Sequence, residues 1–259
     1  ATLMASLNRG LPELFDLPLE STEIGNGNGH NGLPASAART SITGPAQVAI
    51  LVDDGGYGGP TSDDILKLDA PLTVAILPFT PFAKKTAIAA RKQGFEVMLH
   101  MPMESFGEKA TFPGSIMIDM KEEEVAAITL KALREVPGAI GVNNHTGSKY
   151  TQDADAMKRF LHIIKEKKLY FIDSRTAPHS VAFEQAAALG IPTRQRDIFL
   201  DNKADAQYIK EYFDKLVEYA KTHASAIGIC HFRPETAKIF TEVIPQIQKQ
   251  YKIFFFINK

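Results

Sequence analysis

The stretch VAILVDDGG, residues 48–56, shows the pattern that the rest of the chain repeats. Its first five residues, 48–52, are apolar at every position, which is typical of a β-strand covered by helices on both faces. Two carboxylates, Asp53 and Asp54, follow at once. The runs LTVAIL (72–77) and IFFFI (253–257) are apolar in a similarly continuous way. Such runs predict a parallel sheet inside an α/β fold.

Helical stretches alternate with these apolar runs from residue 47 onward. We predict strands at 47–52, 72–77, 95–99, 139–142, 169–172, about 192–199, 226–230 and 252–257, and helices at 61–69, 82–93, 120–135, 153–167, 180–189, 204–223 and 235–249. Seven or eight β/α units predict a distorted (β/α) barrel of seven or eight strands. A doubly wound open sheet is the alternative.

The first 45 residues differ from the rest in composition. Residues 25–32 read GNGNGHNG, a low-complexity sequence typical of a flexible linker. We therefore predict an N-terminal arm with this linker over residues 1–45 and a catalytic barrel over residues 46–259.

Composition and charge argue against several classes of partner. The 29 basic and 30 acidic side chains give a net charge of −1, so a nucleic-acid-binding face is not expected. The sequence has no apolar run long enough to span a bilayer. Cys230 is the only cysteine, which excludes an intrachain disulfide and is compatible with the cytosol or with a bacterial periplasm.

Each central strand is followed by residues that can carry out chemistry. They are Asp53 and Asp54, His100, the group Asn143, Asn144 and His145, the group Asp173, Ser174 and Arg175, and His231. In parallel α/β folds the carboxyl ends of the strands share one face, and the active site lies there. The sequence therefore predicts an enzyme with one pocket at this face, although each group could also serve only as a turn or a helix cap.

A metal site is the leading interpretation of part of this set. Asp54, His100 and His145 together make a two-histidine, one-carboxylate group that leaves a coordination position for water. Glu104, four residues after His100, is the alternative third ligand or an orienting partner.

The remaining strand-end residues are assigned to catalysis and binding. His231 suits general acid work. Arg175 is expected to pair with Asp53 or another carboxylate of the pocket, and a structural salt bridge is the alternative. Asn143, Asn144, Ser148 and Asp173 are predicted to bind the substrate. Arg196, Asp197 and Asp201 flank the sixth strand, and one of the two carboxylates could orient His231.

The order of the motifs D-D-G, L-H-x-P-M-E, G-V-N-N-H-x-G-S, D-S-R-T, R-D-x-F-L-D and H-x-x-P-E-T resembles the divergent polysaccharide deacetylases over residues 46–259. The resemblance implies a distorted (β/α) barrel, a catalytic base at Asp53, a metal ligand at Asp54 and a catalytic histidine at His231. Typical polysaccharide deacetylases have H-x-x-x-H, with both histidines as ligands. Here Glu104 replaces the second, so His145 is preferred as the third ligand.

The resemblance implies a metal-dependent hydrolase, most simply a zinc enzyme, that removes acetyl groups from a glycan. The metal would polarise the acetyl carbonyl, and a backbone N–H near Gly147 or Ser148 would help to stabilise the oxyanion. It also implies an extracytoplasmic location, in the bacterial periplasm. A catalytically inactive glycan-binding or cell-envelope factor on the same barrel is the alternative function, and the sequence does not predict an oligomeric state.

Overall fold

The computed structural model describes residues 47–107, 112–250 and 252–254, so the predicted arm over residues 1–45 lies outside the described residues. The strands are β1 (Gln47–Gly55), β2 (Thr73–Ile76), β3 (Glu96–Met103), β4 (Gly141–Thr146), β5 (Tyr170–Asp173), β6 (Thr193–Gln195), β7 (Ile198–Phe199), β8 (Ser225–His231) and β9 (Lys252–Ile253). The helices are α1 (Pro60–Ile65), α2 (Ala83–Lys92), α3 (Glu122–Glu135), α4 (Ala154–Glu166), α5 (Ala182–Ala188), α6 (Ala206–His223) and α7 (Pro234–Gln250), with a 3-10 turn at Tyr150–Gln152.

All the strand pairs are parallel, and the strand order is β6-β5-β4-β3-β2-β1-β8-β7, with β9 beside the start of β1. Successive strands are neighbours around this path, without the reversal that marks a doubly wound sheet. The predicted distorted barrel is therefore confirmed, and the doubly wound alternative is wrong.

The strand predicted at about 192–199 is observed as two short strands, β6 and β7, at opposite ends of the sheet. The chain changes partner between them: β6 pairs with β5, and β7 pairs with β8. In the part of the chain that the structure describes, the named strand pairs do not include β6 with β7. The barrel is therefore open on this side.

Two apolar layers hold the barrel together. Alternate residues of β1, such as Val48 and Ile50, lie in the large cluster between the sheet and the helices. The residues between them lie in a smaller cluster, here called the inner cluster: Ala49, Leu51, Ala75, Met98, Tyr170, Ile172, Ile227, Ile229 and Phe254. β1 is thus buried on both faces, one against the helices and one in the inner cluster. The continuous apolar runs of the sequence predict this burial. Of the helices in the described residues, none is both long and apolar enough to cross a membrane.

Gly141 leaves room for the ring of Tyr170, its neighbour across β4 and β5. A methyl group at Gly141 would lie 2.4 Å from a carbon of that ring, closer than van der Waals contact permits. We expect Gly141→Ala to destabilise the fold by about 1–3 kcal/mol, the usual cost of overpacking a core. Urea unfolding would measure it. Because the clash is with the ring of Tyr170, Gly141→Ala should cost less stability in a Tyr170→Ala protein, which lacks that ring. An equal cost in both backgrounds would contradict this account.

Candidate metal and catalytic centre

The site is built on the inner face of the strands, just beyond the inner cluster. Side chains two residues apart on a strand share a face, so Asp53 lies on the side of Leu51. Asp53 and His231 are direct neighbours across β1 and β8, and His100 and Asn143 are direct neighbours across β3 and β4. The strand-end residues that continue the inner face in this way are Asp53, His100, Asn143, His145 and His231.

A local irregularity lets two consecutive carboxylates face the same pocket. The register between β1 and β2 shifts between Val52 and Gly55. Within this bulge Asp54 has a φ of 66°, a left-handed conformation that costs a non-glycine residue about 1–3 kcal/mol. In a regular strand Asp54 would point away from Asp53. The bulge turns it toward His100 and His145 instead.

Asp54, His100 and His145 bring three ligand atoms together. Asp54 Oδ1 lies 3.3 Å from His100 Nε2 and 3.1 Å from His145 Nδ1. The two ring nitrogens are 3.1 Å apart. Asp54 Oδ1 is buried, and no described residue satisfies it with a hydrogen bond of regular geometry. A triangle of one carboxylate oxygen and two imidazole nitrogens, in which the buried carboxylate oxygen is itself unsatisfied, fits a divalent cation.

The charge states of Asp54 and His145 also fit a cation, whereas the pKa of His100 is shifted toward the protonated ring. Burial raises the pKa of Asp54, but the two imidazoles outweigh it and hold that pKa well below its usual value, so the carboxylate is ionised. Burial lowers the pKa of His145, which favours the neutral imidazole that metals bind. Burial also lowers the pKa of His100, but Asp53 and Asp54 outweigh it and raise the net value.

Asp53 is a buried carboxylate beside the ligand triangle, with 3% of its surface exposed. Burial raises its pKa to about 6, although His100 and His231 pull in the opposite direction. The amide of Asn143 donates a hydrogen bond to Asp53 Oδ1 over 2.9 Å. Asp53 Oδ2 lies 3.6 Å from His100 Nε2. A carboxylate with a pKa of about 6 is well suited to take up a proton near neutral pH.

The structure selects Asp201 from the two carboxylates that could orient His231. Asp201 Oδ1 lies 2.8 Å from His231 Nδ1, and Asp201 Oδ2 accepts from the His231 backbone N–H over 2.8 Å. Thr236 donates to the same Oδ2 over 2.7 Å. Burial lowers the pKa of His231, but Asp201 outweighs it and raises the net value. Asp197 instead accepts from the backbone N–H of Ile227.

Arg175 lies elsewhere than predicted. It has a φ of 52°, and its guanidinium lies 3.4 Å and 3.5 Å from the backbone oxygens of Ser180 and Pro178 within its own loop. Arg196 interacts electrostatically with Asp173 most strongly and with Asp53 less strongly. Its guanidinium donates to the backbone oxygens of Ser174 and Arg175 over 2.8 Å and 3.0 Å.

Glu104 also lies apart from the ligand triangle. Its Oε1 forms an ion pair with Lys149 at 2.5 Å, and its Oε2 accepts from the backbone N–H of Ile118 over 2.8 Å. Burial raises the pKa of Glu104, but Lys149 and Ile118 lower the net value. Both oxygens thus hold neighbouring loops together, and the described ligand group contains His145 and not Glu104.

The four residues predicted to bind substrate form hydrogen bonds within the protein, and Ser148 is only partly buried. Asn143, Asn144 and Asp173 are completely buried. Asn144 accepts from the Ser174 backbone N–H, and Asp173 accepts from the Ser180 hydroxyl. Ser148 accepts from the backbone N–H of Phe106. These contacts join the loops that follow β3, β4 and β5.

The backbone N–H groups expected to stabilise an oxyanion are occupied as well. Those of Gly147 and Ser148 both donate to the hydroxyl of Ser105, over 2.8 Å and 3.2 Å. The expectation for these two groups was therefore wrong for this conformation. Ser105 follows Glu104 in a loop. No sequence pattern around Ser105 predicts that its hydroxyl accepts these two hydrogen bonds.

Two aromatic rings that the sequence analysis missed border the centre. The ring of Phe112 packs edge-on against His145 with centroids 5.2 Å apart. The ring of Phe199 packs against His231 with centroids 5.1 Å apart. Phe199 lies two residues before Asp201, at the end of the predicted sixth strand. This position could have indicated that Phe199 lies near the site. Each ring thus contacts one histidine of the centre.

Comparison with known proteins agrees with the fold. The model of a family described as divergent polysaccharide deacetylase matches residues 50–256. The protein YibQ of Escherichia coli K12, itself uncharacterized, is 30% identical over 213 residues, which cover 81% of this chain and 67% of YibQ.

Two solved structures share the fold. The uncharacterized protein ATU2773 of Agrobacterium tumefaciens C58 superposes with a TM-score of 0.76 at 22% identity, over 85% of this chain and 89% of that one. A family 4 carbohydrate esterase from Streptomyces lividans, solved in complex with acetate, superposes with a TM-score of 0.51 at 10% identity, over 79% of this chain and 88% of that one.

Proposed function

Because this chain belongs to the divergent polysaccharide deacetylase family, we propose that it is a metal-dependent hydrolase that removes acetyl groups from a polysaccharide or another glycan. The observation that carries the proposal is the triangle of Asp54, His100 and His145 beside the buried carboxylate of Asp53. A hydrolase of this type needs a cation site and a proton acceptor next to each other. The predicted location outside the cytoplasm stays a prediction.

Asp54, His100 and His145 would hold the cation, for which we propose zinc because mixed imidazole and carboxylate ligands suit it. When bound, a divalent cation supplies Lewis acidity toward the acetyl carbonyl and makes water more acidic. The three residues leave the remaining coordination positions to water and substrate, as catalytic sites with three protein ligands do.

Asp53 acts as the general base in this proposal. It takes a proton from the attacking water, whose oxygen forms the new bond to the acetyl carbon. Its raised pKa of about 6 makes it a stronger base than an ordinary aspartate, while it remains ionised at neutral pH.

His231 acts as the general acid. It donates a proton to the nitrogen or oxygen of the sugar as the bond to the acetyl carbon breaks, so that acetate and the free sugar group are released. Asp201 holds the ring through Nδ1 and favours its protonated form. The ring therefore has a proton to give near neutral pH.

The Asp53→Asn variant tests this assignment. We expect it to bind zinc in a one-to-one ratio yet to release acetate about 10²–10⁴-fold more slowly, because only the proton acceptor is lost. Acetate release from acetylated chito-oligosaccharides and acetylated xylan would be measured on zinc-loaded protein. Asp119→Asn, at an exposed position, is the matched control.

Asp53→Asn protein with the activity of the parent would contradict the assignment of the base. A parent protein that binds stoichiometric zinc but releases no acetate from any glycan would instead favour the inactive glycan-binding factor.

A further inference from the structure

The side chain of Asn143 links the proposed metal ligand His100 to the proposed base Asp53. Asn143 Oδ1 lies 2.9 Å from His100 Nδ1, and Asn143 Nδ2 lies 2.9 Å from Asp53 Oδ1. The second hydrogen on Nδ2 points to the hydroxyl oxygen of Ser174 over 3.0 Å. Asn143 has no exposed surface, so it touches its neighbours rather than a substrate. Every polar atom of this amide is therefore used inside the site.

The network fixes the orientation of the amide. An ionised carboxylate only accepts hydrogen bonds, so the amide atom that faces Asp53 must be the nitrogen. The amide oxygen then faces His100, and His100 Nδ1 must carry a hydrogen to donate to it. In the neutral ring, this leaves the lone pair on Nε2, the nitrogen that faces Asp54 Oδ1 and His145 Nδ1.

The same amide makes the two oxygens of Asp53 unequal. Oδ1 accepts the hydrogen bond from Asn143, whereas Oδ2 receives no hydrogen bond from a described residue. Oδ2 also lies beside the ligand triangle, 3.6 Å from His100 Nε2. Oδ2 is therefore the oxygen placed to take up a proton.

We propose that Asn143 is a positioning residue: it fixes the tautomer of His100 for metal binding and directs Asp53 Oδ2 toward the reacting water. The second half of the proposal rests on the proposed hydrolase function, whereas the first half does not. A hydrogen-bond acceptor behind a ligand histidine fixes its tautomer and orientation, and loss of such a partner commonly lowers metal affinity about 10–100-fold.

Two variants separate the two halves. Asn143→Asp keeps an acceptor for His100 Nδ1–H but replaces the amide donor by a second carboxylate, with which Asp53 would share a proton instead of acting as a free base. Asn143→Leu removes both the acceptor and the donor at a similar side-chain volume. Asn144→Asp and Asn144→Leu are matched controls, because Asn144 is an equally buried neighbour that bonds instead to Thr146, Ser174 and Thr176.

Zinc affinity is the first measurement, by competition with a chromophoric chelator. We expect Asn143→Leu to raise the zinc dissociation constant about 10–100-fold and Asn143→Asp to leave it near the parent value. At saturating zinc, Asn143→Asp should lower kcat with little change in KM. Both Asn144 variants should keep the zinc affinity of the parent.

The tautomer is the second measurement and needs neither zinc nor a substrate. Nitrogen-15 NMR of the histidine rings in metal-free protein at alkaline pH should show His100 with its hydrogen on Nδ1 in the parent and in Asn143→Asp, but not in Asn143→Leu. If the parent binds no zinc, the proposed function fails, and this measurement alone decides the role of Asn143. An unchanged tautomer in Asn143→Leu would overturn the proposal. Equal losses of zinc affinity in the Asn143→Leu and Asn144→Leu proteins would overturn it as well.

Discussion

The His145→Ala protein is expected to lose stoichiometric zinc, whereas the Glu104→Ala protein keeps it. The reason is geometric: His145 Nδ1 completes the ligand triangle at 3.1 Å from both Asp54 Oδ1 and His100 Nε2, and alanine leaves only two ligands. Glu104 has both oxygens engaged by Lys149 and Ile118. Elemental analysis of purified, untagged proteins after dialysis would measure the metal content.

Glu104→Ala is the matched control, because Glu104 is likewise a partly buried side chain of a kind that can bind metal. It follows β3, whereas His145 lies near the end of β4. Loss of Glu104 breaks the ion pair that joins the loops after β3 and β4, so a lower melting temperature with unchanged zinc is the expected result. The reverse pattern, with zinc lost in Glu104→Ala and kept in His145→Ala, would move the third ligand to Glu104. It would require the loops to rearrange when metal binds.

The sequence could predict the barrel because its signal is local and repeated. Continuous apolar runs with polar residues at their ends identify the strands, and the shared carboxyl-end face follows from parallel pairing. The side on which each residue lies also follows from alternation along the strand, as for Leu51 and Asp53. Asp54 breaks this rule, since only the bulge in β1 brings it to the same pocket as Asp53. A sequence pattern does not show such a bulge.

The partners of charged side chains were harder to predict than their positions. Arg175 and Arg196 both follow strand ends, yet the left-handed backbone at Arg175 turns its side chain toward its own loop. Arg196 instead donates to the backbone oxygens of Ser174 and Arg175. Asp197 and Asp201 are only four residues apart, and the division of the strand into β6 and β7 decides which one meets His231. These choices depend on loop conformation, which tertiary contacts set.

The His231–Asp201 pair gives the protein a defined pH dependence. The pKa of His231 is higher in the folded protein than its value of 6.5 in the unfolded chain. Protonated His231 therefore stabilises the fold fully at a pH below 6.5, and this stabilisation is lost as the pH rises through the higher pKa of the folded protein. Burial raises the pKa of Asp201, but His231 outweighs burial and holds that pKa below its usual value of 3.8. Ionised Asp201 therefore stabilises the fold fully at a pH above 3.8, and this stabilisation is lost as the pH falls through the lower pKa of the folded protein. Between these limits both groups are charged.

Replacing His231 by alanine is expected to lower kcat on acetylated glycans about 10²–10⁴-fold, because the leaving sugar then departs without a proton. The chromogenic ester 4-nitrophenyl acetate tests that reason, since nitrophenolate leaves readily without protonation. If the protein cleaves this ester, His231→Ala should slow its cleavage far less than that of a glycan. Equal losses on both substrates would show that His231 acts in another way, for example by holding the fold of the site.

Asp201→Asn tests the origin of the raised His231 pKa. Without the Asp201 charge, the largest influence that raises the pKa of His231 is lost, although Asp53 and Asp54 still raise it. That pKa should therefore fall, and the alkaline limb of the pH–rate profile should move to lower pH. Thr236→Val is the control, because it removes one hydrogen bond to Asp201 Oδ2 without changing the charge. It should leave the alkaline limb where it is in the parent. If both variants shift the limb equally, the cause is the position of the Asp201 side chain rather than its charge.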